Sequence, residues 1–160
     1  MSSSPDRPPR RPLRLDTLDD LLAEIDRIVV ADRAGTLRTC GNWTPGQAFG
    51  HLATWINYAY EGFPIRVPWF IRILIRRKLK SYLRDGMPTG VRLPNVAAGT
   101  YGVDVLPIDE GADRLRAAVR RLQNGEPSRH DSPAFGPLSL EDRIALNLRH
   151  AELHLSHLLY

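Results

Sequence analysis

Apolar residues recur at three- and four-residue spacing along this chain, and nowhere does an alternating pattern persist. That period constrains the fold before anything else. Side chains three and four apart share one face of a helix, whereas a half-buried strand needs a period of two. Leu18, Leu21, Leu22, Ile25, Ile28 and Val29 mark a helix over 16–34, with Asp16 or Thr17 placed to cap it and Gly35 to end it. A second helix, 44–61, opens on Thr44-Pro45-Gly46-Gln47, a hydroxyl at the cap, proline in the first turn and glutamine three residues on. Its stripe is Phe49, Leu52, Ile56 and Ala59, and Gly62 and Pro64 stop it. Residues 109–124, with Asp109 as the expected cap, present Leu115, Ala118, Val119 and Leu122 on one side. The last helix, 139–158, starts on Ser139 with Asp142 three residues later and buries Leu140, Ile144, Ala151, Leu155 and Leu158. Residues 68–84 read as one further helix with its cations in the second half. Glycines and prolines make 86–107 a long crossover loop and 126–138 a shorter one. The expected fold is all-α, with four principal helices, one extra basic helix and one long crossover loop.

At 160 residues the chain suits a single domain over 15–160, preceded by a Pro/Arg-rich stretch, 1–14, that reads as a disordered tail. Cys40 is the single cysteine, so an internal disulfide and a cysteine zinc cage are both excluded. One thiol and the lack of an apolar signal core imply a reducing, cytoplasmic setting, and no run approaches the ~18 apolar residues of a membrane span. The net charge of +4 is unevenly spread. Residues 1–14 carry +3 and residues 66–84 carry +7, leaving −6 for the remainder. Contact with nucleic acid or an anionic membrane is therefore conceivable only through those stretches, and the reading favoured for 66–84 is a covering helix with a solvated charged face.

The histidines carry the chemistry. His150 and His154 stand four apart in the last helix, on the flank of its apolar face, with His157 three residues further on. A His-x-x-x-His pair can chelate one ion, but two ligands do not make a site. His51, inside the second helix, can supply the third if the two helices are neighbours. The competing reading is three hydrogen-bonded histidines at the edge of a core. His130 reads as solvent-facing, and His157 as a residue near the negative end of its helix. Asn147 shares the histidine strip, either beside the ligands or simply solvated. Trp55 and Tyr58 either wall a pocket or belong to the core. Asp104 and Glu61 are candidate proton donors or acceptors that spacing cannot place. Cys40 reads as a small structural residue. A Gly-x-Ser-x-Gly elbow and a phosphate-binding glycine loop after a strand are both missing.

Asn42-Trp43-Thr44-Pro45-Gly46-Gln47 with His51-Leu52-Ala53 resembles the opening of the second helix in DinB-like (YfiT-like) metal-binding four-helix proteins. Ser132 to Ser139, followed by Arg149-His150 and His154-Leu155, resembles the closing part of the same superfamily. Asp85-Gly86-Met87-Pro88-Thr89-Gly90 and the Phe135-Gly136 turn look closest to a bacterial branch of unassigned function. Leu155-Ser156-His157-Leu158 stands where that branch commonly has an Arg-Gln-Phe-like run. The resemblance spans roughly 15–160 and implies an up-down-down-up four-helix bundle. It also implies a divalent transition metal, zinc or nickel foremost, held by His51, His150 and His154. Characterised relatives include thiol-dependent S-transferases and isomerases that use bacillithiol, mycothiol or similar thiols. The expectation is thus a thiol-dependent S-transferase or a metal-dependent hydrolase acting on a small molecule, with a homodimer as a possible assembly. The alternative is a non-catalytic metal or small-molecule binding bundle of a stress response.

Overall fold

The computed structural model describes residues 9–160; residues 1–8 of the expected tail lie outside the described residues. The start signals do what their chemistry requires. Thr17 caps α1 (Leu18–Arg33), accepting from the Asp20 N–H while the Asp20 carboxylate accepts from the Thr17 N–H. Thr44 and Gln47 make the same reciprocal pair at α2 (Pro45–Glu61), with Pro45 in its first turn. Ser139 caps α6 (Leu140–Leu155) by accepting from the Asp142 N–H. Among the described residues the fold is mostly helical, with α3 (Trp69–Arg76), α4 (Leu79–Asp85) and α5 (Ile108–Gln123) completing six helices. No described helix is long and apolar enough to cross a membrane.

Five local expectations are corrected. Asp109 does not cap α5; Pro107 precedes the helix without a side-chain cap, and Asp109 pairs with Arg33 at 2.8 Å. Leu140 is exposed at the start of α6. The basic stretch breaks at Arg77–Lys78, where a tight turn from Lys78 N–H to Ile75 O lets Leu79 turn inward and become buried. The last helix stops at Leu155, because residues beyond it find backbone partners elsewhere. They form β2 (Leu158–Leu159), antiparallel to β1 (Arg38–Thr39), and the Cys40 N–H extends the pairing to His157 O at 3.0 Å. Finally, residues 9–14 form no regular element but are not loose along their length. The Arg11 N–H bonds Ser156 O at 3.1 Å, and its guanidinium reaches Leu158 O and the buried Glu24 carboxylate. Apolar periodicity could not reveal this, because hydrogen bonds hold the segment.

The apolar stripes of α1, α2, α5 and α6 form one core around Ile25, Ile28, Phe49, Leu115, Val119 and Leu155. α2 packs most extensively on α5 and also touches α6, which brings the two histidine-bearing helices together. The α2–α5 approach depends on absent side chains. A Cβ on Gly111 would come within 2.6 Å of the Gly46 carbonyl oxygen, and one on Gly46 would run into the Leu106 carbonyl. One turn later, Gly50 leaves room for the Leu106 side chain. The small residues at 46 and 50 therefore form a groove in which residues 101–107 cross α2.

This closeness separates two similar substitutions. Gly46→Ala pushes methyl against backbone and should cost about 2–3 kcal/mol in urea unfolding. Gly50→Ala meets only a movable Leu106 methyl, at 2.7 Å, and should stay within about 1 kcal/mol of the parent, since alanine favours the helix. Equal losses at the two positions would contradict the groove.

Candidate metal centre

Each histidine of the cluster is placed by a different device. His51 lies inside α2, buried, two turns from the Thr44 cap. The crossing segment set down on Gly46 and Gly50 brings the Tyr101 carbonyl to 2.8 Å from His51 Nδ1. A carbonyl only accepts, so Nδ1 carries the proton and Nε2 of neutral His51 presents a bare lone pair. His150 and His154 sit one turn apart on α6, both half-buried. Trp43, just before the α2 cap, stacks on the His154 ring with centroids 4.9 Å apart and planes 9° from parallel. The β1–β2 pair lies beside this contact, tying the chain that leads into α2 to the chain that leaves α6.

His150 Nε2 is 3.1 Å from His51 Nε2 and 3.1 Å from His154 Nε2, and one ligand atom from each ring lies within 4.8 Å of the others. Burial holds all three rings neutral. It lowers His51 to about 4, against the opposing effect of the Tyr101 carbonyl. It lowers His154 to about 3, helped by His51 and His157, and drives His150 well below the usual histidine range, helped by both partners.

Neutral imidazoles cannot satisfy this geometry among themselves. A proton on His150 Nε2 serves one of its two contacts. A proton on His154 serves only the contact with His150 and leaves His51 facing a second lone pair. In every neutral arrangement one short N···N contact lacks a full hydrogen bond. A cation at the focus of the three lone pairs removes the conflict. Two imidazoles about 2.0–2.1 Å from one ion, at octahedral to tetrahedral angles, lie roughly 2.8–3.4 Å apart, which brackets the 3.1 Å spacings. The imidazole donors and these two spacings therefore suit a divalent transition metal, and three ligands would leave a coordination position open.

A pocket of about 310 Å³ opens beside His154, lined by Cys40, Trp43, Ala48, His157 and Leu158. Within it Cys40 Sγ lies 3.5 Å from His157 Nδ1. His157 is thus beyond the helix, against the thiol, and not in the last helical turn. A larger cavity, about 550 Å³, lies between residues 9–13, the end of α4 and α6, and none of the three histidines lines it. Trp55 borders the cluster on another side, its ring centroid 6.0 Å from His51 and 6.1 Å from His150, and Tyr58 packs edge-on to Trp55. Asn147 does not reach the histidines; its amide donates to Arg143 O at 2.8 Å, one turn back. Glu61 lies 3.3 Å from Arg121, and Asp104 is exposed. Among the described residues no carboxylate joins the metal-competent group. His130 is exposed. Trp43 and Tyr101 were the contributors that spacing could not single out: one acts from outside the helix and the other through its backbone.

A family described as "Protein of unknown function (DUF1569)" matches residues 8–159. No curated protein and no solved structure matches the chain.

The depressed histidines set a pH dependence in the metal-free chain. Folded, His51 and His154 stay neutral down to about 4 and about 3; unfolded, they titrate near 6.5. The unfolded state then binds more protons below pH 6.5, so stability falls as pH drops from about 7 towards 4. Denaturant unfolding of chelator-treated protein should show that slope, and His150→Leu should flatten it. A slope that is the same in parent and variant would mean that the cluster is not held neutral.

Proposed function

The chain belongs to the DUF1569 family, and on that premise we propose that His51, His150 and His154 form a divalent-metal site serving thiol-dependent S-transfer or hydrolysis of a small molecule. The observation that carries this reading is the convergence of three neutral imidazoles whose short contacts no proton pattern can satisfy. His51 is held in the ligand tautomer by Tyr101, and Trp43 fixes the plane of the His154 ring. Zinc and nickel suit an all-imidazole donor set. A bound divalent ion would supply Lewis acidity, polarising an oxygen or lowering the pKa of a thiol that reaches it. The pocket beside His154 offers room for such a group, with the Trp43 ring as an apolar wall and Cys40 and His157 as polar ones.

A DinB-like up-down-down-up bundle accommodates the same facts. α1, α2, α5 and α6 are the long helices with buried stripes, and α3, α4 and 86–107 form the long connection between the second and third of them. The absence of a carboxylate from the described cluster favours a second reading, a non-catalytic metal or small-molecule binding protein.

Calorimetric titration of the chelator-treated chain with zinc and nickel separates these. One ion should bind per chain, and His51→Ala, His150→Ala and His154→Ala should each weaken it by roughly tenfold or more. The loaded protein, given bacillithiol or mycothiol and an activated electrophile, should form the conjugate at a rate that a chelator abolishes. Tight metal binding without turnover would favour the second reading. Affinity unchanged in all three variants would dispose of the site.

A further inference from the structure

The helix α3 is attached the wrong way round for a helix whose surroundings are water. At 100° per residue, Trp69, Ile73, Phe70 and Leu74 fall in one continuous sector about 140° wide. All four face outward, 68, 49, 55 and 60% exposed respectively, and α3 buries no residue. Arg72 and Arg76 flank this sector on the Trp69 side, and their side chains run back to the protein, while Ile75 on the far side of the helix is half-buried. The Arg76 guanidinium donates to the carbonyls of Phe135 and Pro137, the latter at 2.9 Å, and the Arg72 stem runs alongside Gly136. Charges anchor this helix to the body and its apolar face is left uncovered by the described residues. An ordinary surface helix does the reverse, and a contiguous exposed apolar patch marks an interaction site.

Charge identifies what would cover it. From Gly62 to Arg84 the chain carries seven cations and no acid. With the Arg72 and Arg76 side chains directed at the 135–137 turn and Arg84 paired with Asp85 at 2.7 Å, Arg66, Arg77, Lys78 and Lys80 remain exposed in and beside this helix. A second copy of the same face would bring these cations against their own kind. A phosphate backbone would match the cations and leave the tryptophan, phenylalanine and leucine in water. An anionic bilayer matches both, with headgroups for the cations and the acyl boundary for the apolar side chains. Eight residues span about 12 Å, far short of a bilayer core, so the helix would lie flat, with Trp69 at headgroup depth and the lysine stems reaching outward.

We propose that α3 and its flanking cations dock the protein on an anionic lipid surface. The full chain should float with phosphatidylcholine vesicles containing about one third phosphatidylglycerol and not with phosphatidylcholine alone, and added salt should release it. Trp69→Ser combined with Leu74→Ser, and separately Arg77→Gln with Lys78→Gln and Lys80→Gln, should each weaken flotation roughly tenfold or more. All five positions point outward, so melting temperatures should match the parent. Failure to bind anionic vesicles at low salt, or binding unchanged in both variants, overturns the proposal. So does a dimer in sedimentation that the Trp69/Leu74 variant dissolves without any lipid binding by the parent, or binding of an oligonucleotide where vesicles are ignored.

Discussion

The 2.8 Å bond from His51 Nδ1 to the Tyr101 carbonyl decides the character of the whole centre. It commits the His51 proton to the outside of the cluster and turns a bare nitrogen towards His150. Without that commitment, His51 could place its proton on Nε2 and donate to the His150 Nε2 lone pair, satisfying that one contact and leaving the contact between His150 and His154 unmet. The bond in turn depends on a backbone approach. Residues 101–107 can cross α2 only because positions 46 and 50 lack side chains, and a packing feature of two glycines therefore becomes an electronic feature of a histidine. On α6 the constraint is simpler. Two histidines one turn apart face the same way by helix geometry, and Trp43 stacks on the second of them.

Much of this was written in local chemistry. The caps at Thr17, Thr44 and Ser139 were legible because a side-chain oxygen followed three residues later by a matching partner has few other uses. The stripes of α2 and α5 were legible because burial and helical period coincide there. Legibility ended where long-range hydrogen bonds took over. The strand pairing of Leu158–Leu159 with Arg38–Thr39 joins residues far apart in the chain and too few to show a period. The docking of Arg11 on Glu24 and Leu158 looked like a charged tail for the same reason. The spacing of His150 and His154 was plain, but the arrival of His51 required helix neighbours that spacing alone could not fix, and the backbone carbonyl that accepts its proton and orients it has no residue signature at all.

The orientation of α3 shows a different limit. Its amphipathic pattern was visible, and the expectation that the apolar side faces the core followed from the usual rule. The arginines reversed it, because carbonyls of the 135–137 turn offered acceptors that the apolar face could not use. The metal centre and this face are thus separate features of one fold, one built by convergence inside and the other left open outside. Neither depends on the other for its geometry.

X-ray absorption at the metal edge of the zinc- or nickel-loaded protein tests the central claim most directly. Three imidazole nitrogens at about 2.0–2.1 Å, with the outer-ring scattering of histidine and no sulfur, is the spectrum that the three-histidine arrangement predicts. A sulfur shell at about 2.3 Å, which only Cys40 or a methionine could supply from this chain, or fewer than three histidines around the ion, would contradict it.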